Sequence, residues 1–185
     1  MGHIFVLGGA RSGKTSYAER LAMRLGSRPC YLATAEALDG EMRERVATHQ
    51  RQRHGRFETI EEPLALSAAL ERASMRHDVI LVDCITLWMS NLLGASRDVA
   101  GAVDDLVRTL ARLEGIRVIL VSNEVGLGIV PDNPLARSFR DLSGSAHQRL
   151  AESCAEVYFI VAGLPLTLKG PAAGAAEAPG VKHEA

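Results

Sequence analysis

Residues 8–15 form the pattern in the chain that points most directly to chemistry. An apolar run leads into Gly8, and GGARSGKT then ends at Thr15, ahead of an amphipathic stretch. Glycines at this spacing let successive backbone N–H groups turn toward phosphate oxygens, and the N-terminus of the following helix adds partial positive charge. Lys14 would reach the β- and γ-phosphates, and the Thr15 hydroxyl would bind Mg²⁺. The pattern predicts a nucleoside triphosphate site formed by Gly8, Gly9, Ala10, Arg11, Ser12, Gly13, Lys14 and Thr15.

A carboxylate for the same magnesium ion is expected at the end of another strand. Asp83 follows the apolar run VILV, at the carboxyl end of a predicted strand, where ligands collect in open α/β sheets. Alternatively, Asp83 caps a helix that starts at Ile85, and the two roles are compatible. Asn123 and Glu124 follow the next apolar run in the same way. We therefore expect them to face the same cleft.

The segment 42–56, MRERVATHQRQRHGR, is strongly basic, with five arginines and two histidines against one acid. The ordinary interpretation is a solvated basic helix face. Met42, Val46 and His49 share one helical face, however, which would turn His49 toward the body of the protein. An imidazole there could attack an α-phosphorus while arginines neutralise the pyrophosphate that leaves. His49 is thus a candidate nucleophile, and His54 is the second candidate.

The elements that must position these groups alternate along the chain. Short apolar runs predict strands near residues 3, 30, 78, 117 and 156. Because these runs are apolar on both faces, they belong in a sheet covered by helices on both sides. Helical spacing predicts helices over 13–26, 63–76, 85–94, 101–114 and 134–154, with Pro63 in the first turn of the second. The expected fold is α/β, with a mostly parallel central sheet.

The stretch 122–148 is dense in Gly, Pro, Asn and charge, although it follows a predicted buried strand. Its glycines and Pro131 imply an ordered loop, after which Arg137, Arg140 and Asp141 lie on the opening turns of a helix. A long loop at this edge of a sheet is more often functional than purely structural. We expect it to bind substrate or to contact another subunit.

Composition restricts the class of protein. The length of 185 residues fits one domain, residues 1–169, followed by a disordered Ala/Gly/Pro-rich tail, residues 170–185. The formal charge of -1 leaves no broad positive field for nucleic acid or an anionic membrane. The three cysteines lie singly in apolar runs, which is typical of reduced core thiols. No signal peptide or membrane span is evident, so we expect a cytoplasmic protein.

These motifs together resemble the bifunctional adenosylcobinamide kinase / adenosylcobinamide-phosphate guanylyltransferase family of cobalamin biosynthesis. The resemblance covers about residues 3–169 and rests on five segments. They are GGARSGKT at 8–15, ATA at 33–35, the arginine–histidine pattern at 45–53, DCITLWMSNLL at 83–93 and NEVGLGIVP…LARSFRDLSG at 123–144. The last two are far more specific than the phosphate loop.

The resemblance implies a RecA-like P-loop fold and a homotrimer with active sites near subunit boundaries. It implies that ATP or GTP phosphorylates adenosylcobinamide, and that His49 then carries GMP from GTP to that phosphate. It also implies that one glutamate of the Glu61–Glu62 pair, taken as Glu61, binds nucleotide. The other implied nucleotide-binding residues outside the P-loop are Ala33, Thr34, Ala35, Gln50, Arg51, Gln52, Arg53 and Asp83.

The chain also departs from the family pattern. Many members have Asn-Gln where this chain has His147-Gln148, so no role passes to His147. Some members have two adjacent histidines where Thr48-His49 stands here, which makes His49 the match. Two alternative functions stay open from the sequence. One is a single-function small-metabolite kinase, in which His49 is inert, and the other is a P-loop switch or assembly NTPase.

Overall fold

The computed structural model of the chain describes residues 2–35 and 55–171. Within them the strands are β1 (Ile4–Gly8), β2 (Pro29–Ala33), β3 (Glu58–Glu61), β4 (Val79–Asp83), β5 (Arg117–Asn123), β6 (Glu156–Val161) and β7 (Leu164–Lys169). The helices are α1 (Lys14–Leu25), α2 (Leu66–Ser74), α3 (Ile85–Gly94), α4 (Val99–Arg112) and α5 (Pro134–Ser153). Residues 42–54 of the basic segment and residues 172–185 of the predicted tail lie outside the described residues.

The strands form one sheet in the order β3-β2-β4-β5-β1-β6-β7. All neighbouring pairs are parallel except β6 and β7, which are antiparallel. This confirms the predicted α/β fold with a mostly parallel sheet, and it places β1 and its phosphate loop inside the sheet. The two edge strands, β3 and β7, were not predicted. Both are largely exposed, so they lack the apolar pattern of the inner strands.

Helices cover both faces of the sheet and explain why the inner strands are apolar throughout. Alternate residues of β1 enter different cores: Phe5 and Leu7 pack with α2 to α5, whereas Ile4 and Val6 pack under α1. Successive side chains of a strand point to opposite faces. A strand covered on both sides must therefore be apolar at every position. None of the helices in residues 2–35 and 55–171 combines the length and the apolar character needed to cross a membrane.

The second helix begins later than its sequence suggests. Pro63 was expected in its first turn, but α2 starts at Leu66 and the prediction was wrong. The Glu62 carboxylate accepts the backbone N–H groups of Leu64 at 3.1 Å and Ala65 at 2.8 Å. These hydrogen bonds stabilise a turn between β3 and the helix, and Pro63 lies in that turn.

The three cysteines should be unreactive in the folded chain. Cys30, Cys84 and Cys154 are buried and free, and burial raises the pKa of each thiol to about 12. Since the thiolate is the reactive form, we expect iodoacetamide at pH 8 to modify none of them under native conditions. All three should react in concentrated guanidinium chloride, as counted by mass spectrometry. Rapid native modification of any one thiol would contradict the burial described here.

Candidate nucleotide site

The phosphate loop joins the end of β1 to the start of α1. Its chain turns through Gly13, which has a φ of 89° and immediately precedes the helix. No described side chain caps the N-terminus of α1, and its first turn holds no acidic residue. The N–H groups at this helix end are therefore available to an anion.

Lys14 is buried at the base of this loop. Its Nζ donates to the carbonyl oxygen of Gly9 at 3.1 Å, so the ammonium group lies beneath the loop. Burial lowers the pKa of Lys14, and the negative charge of Asp83 partly offsets that effect. The Lys14 cation is thus directed at the space that the loop encloses, as phosphate binding requires.

The turn between β6 and β7 supports the loop from the side. Gly163, in that turn, donates its N–H to the Ser12 carbonyl at 2.8 Å. A Cβ on Gly13 would lie 3.2 Å from the Cα of Gly163, so the two backbones are in close contact. This contact could not be predicted from the sequence, because neither segment carries a local signal of the other.

Gly8 and Gly9 should respond differently to substitution by alanine. A Cβ on Gly8 would lie 2.7 Å from the Ile160 carbonyl oxygen and 2.6 Å from Ser12 Oγ, whereas nothing lies within 4 Å of one on Gly9. We expect Gly8→Ala to lower the free energy of unfolding by about 1–3 kcal/mol through this overpacking. Gly9→Ala should change it by less than about 0.5 kcal/mol. Urea unfolding of the nucleotide-free variants measures both, and equal losses would contradict the packing described.

Asp83, at the end of β4, and Thr15, in the first turn of α1, are in direct contact. The Thr15 hydroxyl donates to Asp83 Oδ2 at 3.0 Å, and the Tyr31 hydroxyl donates to the same oxygen at 2.6 Å. Helix α3 is capped instead by Cys84, whose Sγ accepts the Leu87 N–H at 3.5 Å, so Asp83 is not its cap. A hydroxyl and a carboxylate are oxygen donors of the kind that Mg²⁺ takes alongside substrate phosphates.

Other strand ends extend this edge. Ala33 aligns with Asp83 on one side and with Glu61 on the other. Thr34 is fully buried, and its hydroxyl donates to the Cys84 carbonyl at 2.7 Å and accepts the Cys84 N–H at 2.8 Å. The Thr34 side chain therefore ties the ends of β2 and β4 together. Because the Thr34 hydroxyl is already paired, a contact from residues 33–35 to nucleotide would be made by their backbone groups or by the side chains of Ala33 and Ala35.

The Glu61–Glu62 pair divides into two environments. The Glu62 carboxylate holds the start of α2 and lies 3.7 Å from Arg72. Glu61 ends β3 and is exposed. The assignment of nucleotide binding to Glu61 stays a prediction from the sequence.

Asn123 and Glu124 lie at the same edge, as their position after a strand predicts. Glu124 donates its N–H to the carbonyl of Gly8, the first residue of the phosphate loop, at 3.0 Å. Behind it lies His147, a buried residue of α5 to which the sequence assigned no role. Its Nδ1 is 3.7 Å from Glu124 Oε2, and its Nε2 is 2.8 Å from Ser122 Oγ. A buried histidine on a helix carries no local signal of such partners.

The loop 124–133 leads from this edge to α5. Arg137 donates from Nη1 to the carbonyls of Pro131 at 2.9 Å and Asp132 at 2.7 Å, and Asn133 caps the helix. Arg137, Arg140 and Asp141 lie on the opening turns of α5, as predicted. The loop and the helix start expose large apolar side chains, namely Val125, Leu127, Ile129, Val130 and Leu135.

Part of the predicted site cannot be placed against this geometry. His49 and the four residues that follow it, Gln50, Arg51, Gln52 and Arg53, lie outside the described residues, as does His54. Their roles remain predictions from the sequence.

The phosphate loop on an inner strand, the buried Lys14 and the Thr15–Asp83 pair define a P-loop nucleotide-binding protein. A model of the family described as "Cobinamide kinase / cobinamide phosphate guanyltransferase" matches residues 4–168. The chain belongs to that family, which confirms the resemblance seen in its motifs.

Curated relatives agree with this family over nearly their whole lengths. A protein from Pseudomonas aeruginosa named "Bifunctional adenosylcobalamin biosynthesis protein CobP" is 49% identical over 167 residues, 89% of this chain and 96% of its own length. "Bifunctional adenosylcobalamin biosynthesis protein CobU" from Salmonella typhimurium is 38% identical, over 90% of this chain and 99% of its own length. The chain is thus an enzyme of cobalamin biosynthesis, with the kinase and guanylyltransferase activities of its family.

Solved structures support the fold alone. A KaiC-like protein, PH0186, from Pyrococcus horikoshii matches with a TM-score of 0.51 at 13% identity, over 85% of this chain and 70% of that one. An ATPase from the type III secretion system of pathogenic bacteria matches with a TM-score of 0.51 at 13% identity, over 90% of this chain and 56% of that one. These likenesses confirm the α/β fold of the sheet and its helices.

Proposed function

We propose that this chain performs two successive transfers on one acceptor. A nucleoside triphosphate, ATP or GTP, first phosphorylates the aminopropanol hydroxyl of adenosylcobinamide. GTP then transfers GMP through His49 to that phosphate, which releases pyrophosphate and yields adenosylcobinamide-GDP for assembly of the cobalamin nucleotide loop. The observation that carries the proposal is the phosphate loop with its Thr15–Asp83 pair, in a chain that matches the family over residues 4–168.

Different residues of the described site would bind different parts of the nucleotide and its metal ion. The N–H groups of the loop and of the start of α1 bind phosphate oxygens, and Lys14 supplies a positive charge to the β- and γ-phosphates. Thr15 and Asp83 would hold Mg²⁺, since their oxygens lie side by side, 3.0 Å apart. When bound, magnesium would neutralise charge on the phosphate groups. Tyr31 keeps the Asp83 carboxylate in position through its own hydrogen bond.

His49 is the proposed carrier of GMP, and the positions of other nucleophiles support that choice. Lys169 pairs with Val157 at the end of the sheet opposite the loop, and its Nζ donates to the Ala151 and Glu152 carbonyls. His3 also lies at that opposite end, where Nε2 is 2.7 Å from the Leu110 carbonyl. These groups are too far from the phosphate loop to attack a nucleotide held there.

We also propose that the enzyme is a cytoplasmic homotrimer whose active sites lie near subunit boundaries. The apolar side chains exposed on the loop 124–133 support a subunit contact there, because large exposed apolar patches commonly mark interfaces. Residues 1–169 form the proposed catalytic domain, and residues 170–185 take no part in the reaction.

Labelled nucleotide tests the proposal directly. GTP carrying ³²P in the α-phosphate should leave label on the protein, and adding adenosylcobinamide should transfer that label to the acceptor. GTP labelled in the γ-phosphate should give labelled adenosylcobinamide phosphate. Acceptor phosphorylation without protein label would indicate a single-function kinase. Nucleotide binding with neither transfer would indicate a switch or assembly protein.

A further inference from the structure

A line of polar side chains runs from α3 through the core to Glu124, and it is hydrogen-bonded as far as His147. Asn123 donates its N–H to Thr86 Oγ1 at 2.7 Å, and Ser122 Oγ, 2.8 Å away, is the nearest acceptor for the Thr86 proton. Ser122 Oγ lies 2.8 Å from His147 Nε2. With Thr86 donating to Ser122, the Ser122 proton is available to Nε2, and we therefore assign the ring proton to Nδ1. Nδ1 is 3.7 Å from Glu124 Oε2. In this assignment the N–H at Nδ1 faces the Glu124 carboxylate.

The line is buried except at this end. Thr86, Ser122 and His147 are buried, whereas 21% of the Glu124 side chain is exposed. Burial lowers the pKa of His147 and the Glu124 charge offsets this only in part, so the imidazole is neutral near pH 7. The exposed carboxylate of Glu124 is therefore the part of the line that can meet a ligand.

Glu124 is fixed beside the phosphate loop. It follows β5, the strand next to β1, and its N–H is bound to the Gly8 carbonyl. Its Oε1 accepts the N–H of Gly126, which restrains the side chain at the start of the loop 124–133. An acceptor bound between the loop 124–133 and the γ-phosphate of the nucleotide would face the Glu124 carboxylate.

The other carboxylates that end neighbouring strands are committed or more distant. Asp83 accepts two hydroxyl groups on one oxygen and faces the magnesium position. The Glu62 carboxylate holds the start of α2. Glu61 ends β3, and three strands separate β3 from β1. A kinase for a hydroxyl group uses a carboxylate that accepts the hydroxyl proton during transfer, and Glu124 is the one of the four in position.

We propose that Glu124 is the proton acceptor of the kinase step and that His147 is its positioning residue. The inference rests on the proposed function. The acceptor oxygen bonds to the γ-phosphorus while the bond from that phosphorus to the β–γ bridging oxygen breaks. The proton of the acceptor hydroxyl moves to the Glu124 carboxylate, and the electron pair of the broken bond stays on the diphosphate that leaves. The GMP transfer does not use Glu124, because the acceptor is then a phosphate without a hydroxyl proton to remove.

The variant Glu124→Gln tests the proton acceptor. It keeps the shape and the acceptor for Gly126 but removes the base, so kcat for adenosylcobinamide phosphorylation should fall by about 10²–10⁴-fold. The KM for the nucleotide and the α-³²P labelling of the protein should stay within about twofold. Glu114→Gln is the matched control, because Glu114 precedes β5, at the opposite end of the same strand, and is exposed. It should match wild type in both steps.

The outcomes separate this inference from the function on which it rests. A wild-type chain that fails to phosphorylate adenosylcobinamide contradicts the proposed function. An active wild type with an equally active Glu124→Gln variant contradicts only the role of Glu124. Glu124→Asp, which keeps a base on a shorter side chain, should recover at least about tenfold of the lost kcat, and no recovery would also count against the role.

Two substitutions of His147 test positioning. Asparagine keeps a donor near Nδ1, facing Glu124, whereas glutamine keeps one near Nε2, facing Ser122. The kinase kcat of His147→Asn should exceed that of His147→Gln by about fivefold or more, at similar thermal stability and nucleotide KM. Equal kcat values in two equally stable variants would assign His147 to packing alone.

Discussion

Replacing His49 by alanine should abolish covalent GMP on the protein while phosphorylation of adenosylcobinamide continues. The chain has three lysines: Lys14 is buried under the phosphate loop, Lys169 is at the opposite end of the sheet, and Lys182 lies beyond residue 171. A histidine nucleophile therefore remains, and a neutral imidazole is available near pH 7 because its ordinary pKa is about 6.5. GMP transfer should fall by more than about 10³-fold.

The chemistry of the bond provides an independent check. A GMP–histidine bond is a phosphoramidate, so the label should be lost in acid and retained in alkali. His54→Ala is the matched control from the same basic segment and should keep most of the label. Acid-stable label, or full labelling of the His49→Ala protein, would show that the nucleophile is elsewhere and that the segment is a basic surface.

Replacing Lys14 by alanine should reduce both transfers by about 10²–10³-fold, because it removes a preorganised positive donor from the phosphates. Both the phosphorylation rate and the GMP transfer rate should fall if one phosphate loop serves both steps. Initial rates with γ-labelled and α-labelled GTP measure the two steps separately. Undiminished GMP transfer would reveal a second nucleotide site.

The variant Lys14→Arg should be as inactive in both transfers as Lys14→Ala. The lysine is buried and contacts the Gly9 carbonyl, and a planar guanidinium is too broad for a position shaped around a compact ammonium. Lys169→Ala is the control, since it removes the same charge at the opposite end of the sheet. An active Lys14→Arg variant would mean that only charge matters at this position.

The sequence predicts the inner part of the fold well because burial on both faces leaves a strong apolar signal. The five inner runs are all strands, and the predicted helices match within about three residues. Strands β3 and β7 were not predicted, because a strand at the edge of a sheet is exposed and needs no such apolar pattern. In β7, Leu164, Leu166 and Leu168 are exposed, and Pro165 argues against a strand.

The same distinction applies to the site. The phosphate loop is local in sequence, and its spacing alone predicts it. Tyr31, Gly163 and His147 reach the site through the order of the strands, which spacing does not determine. Each is an unremarkable residue of an apolar strand, a turn or a helix until the sheet brings it beside the loop.

The central position of β1 also determines when the site can exist during synthesis. Strand β1 is translated before both of its neighbours, β5 and β6, which begin at Arg117 and Glu156. Until those residues emerge, both edges of β1 have unpaired backbone groups, and Gly163 is not yet present to support the loop. Nucleotide binding can therefore stabilise the chain only after β6 and Gly163 have been translated, because these later segments complete the surface that the ligand recognises.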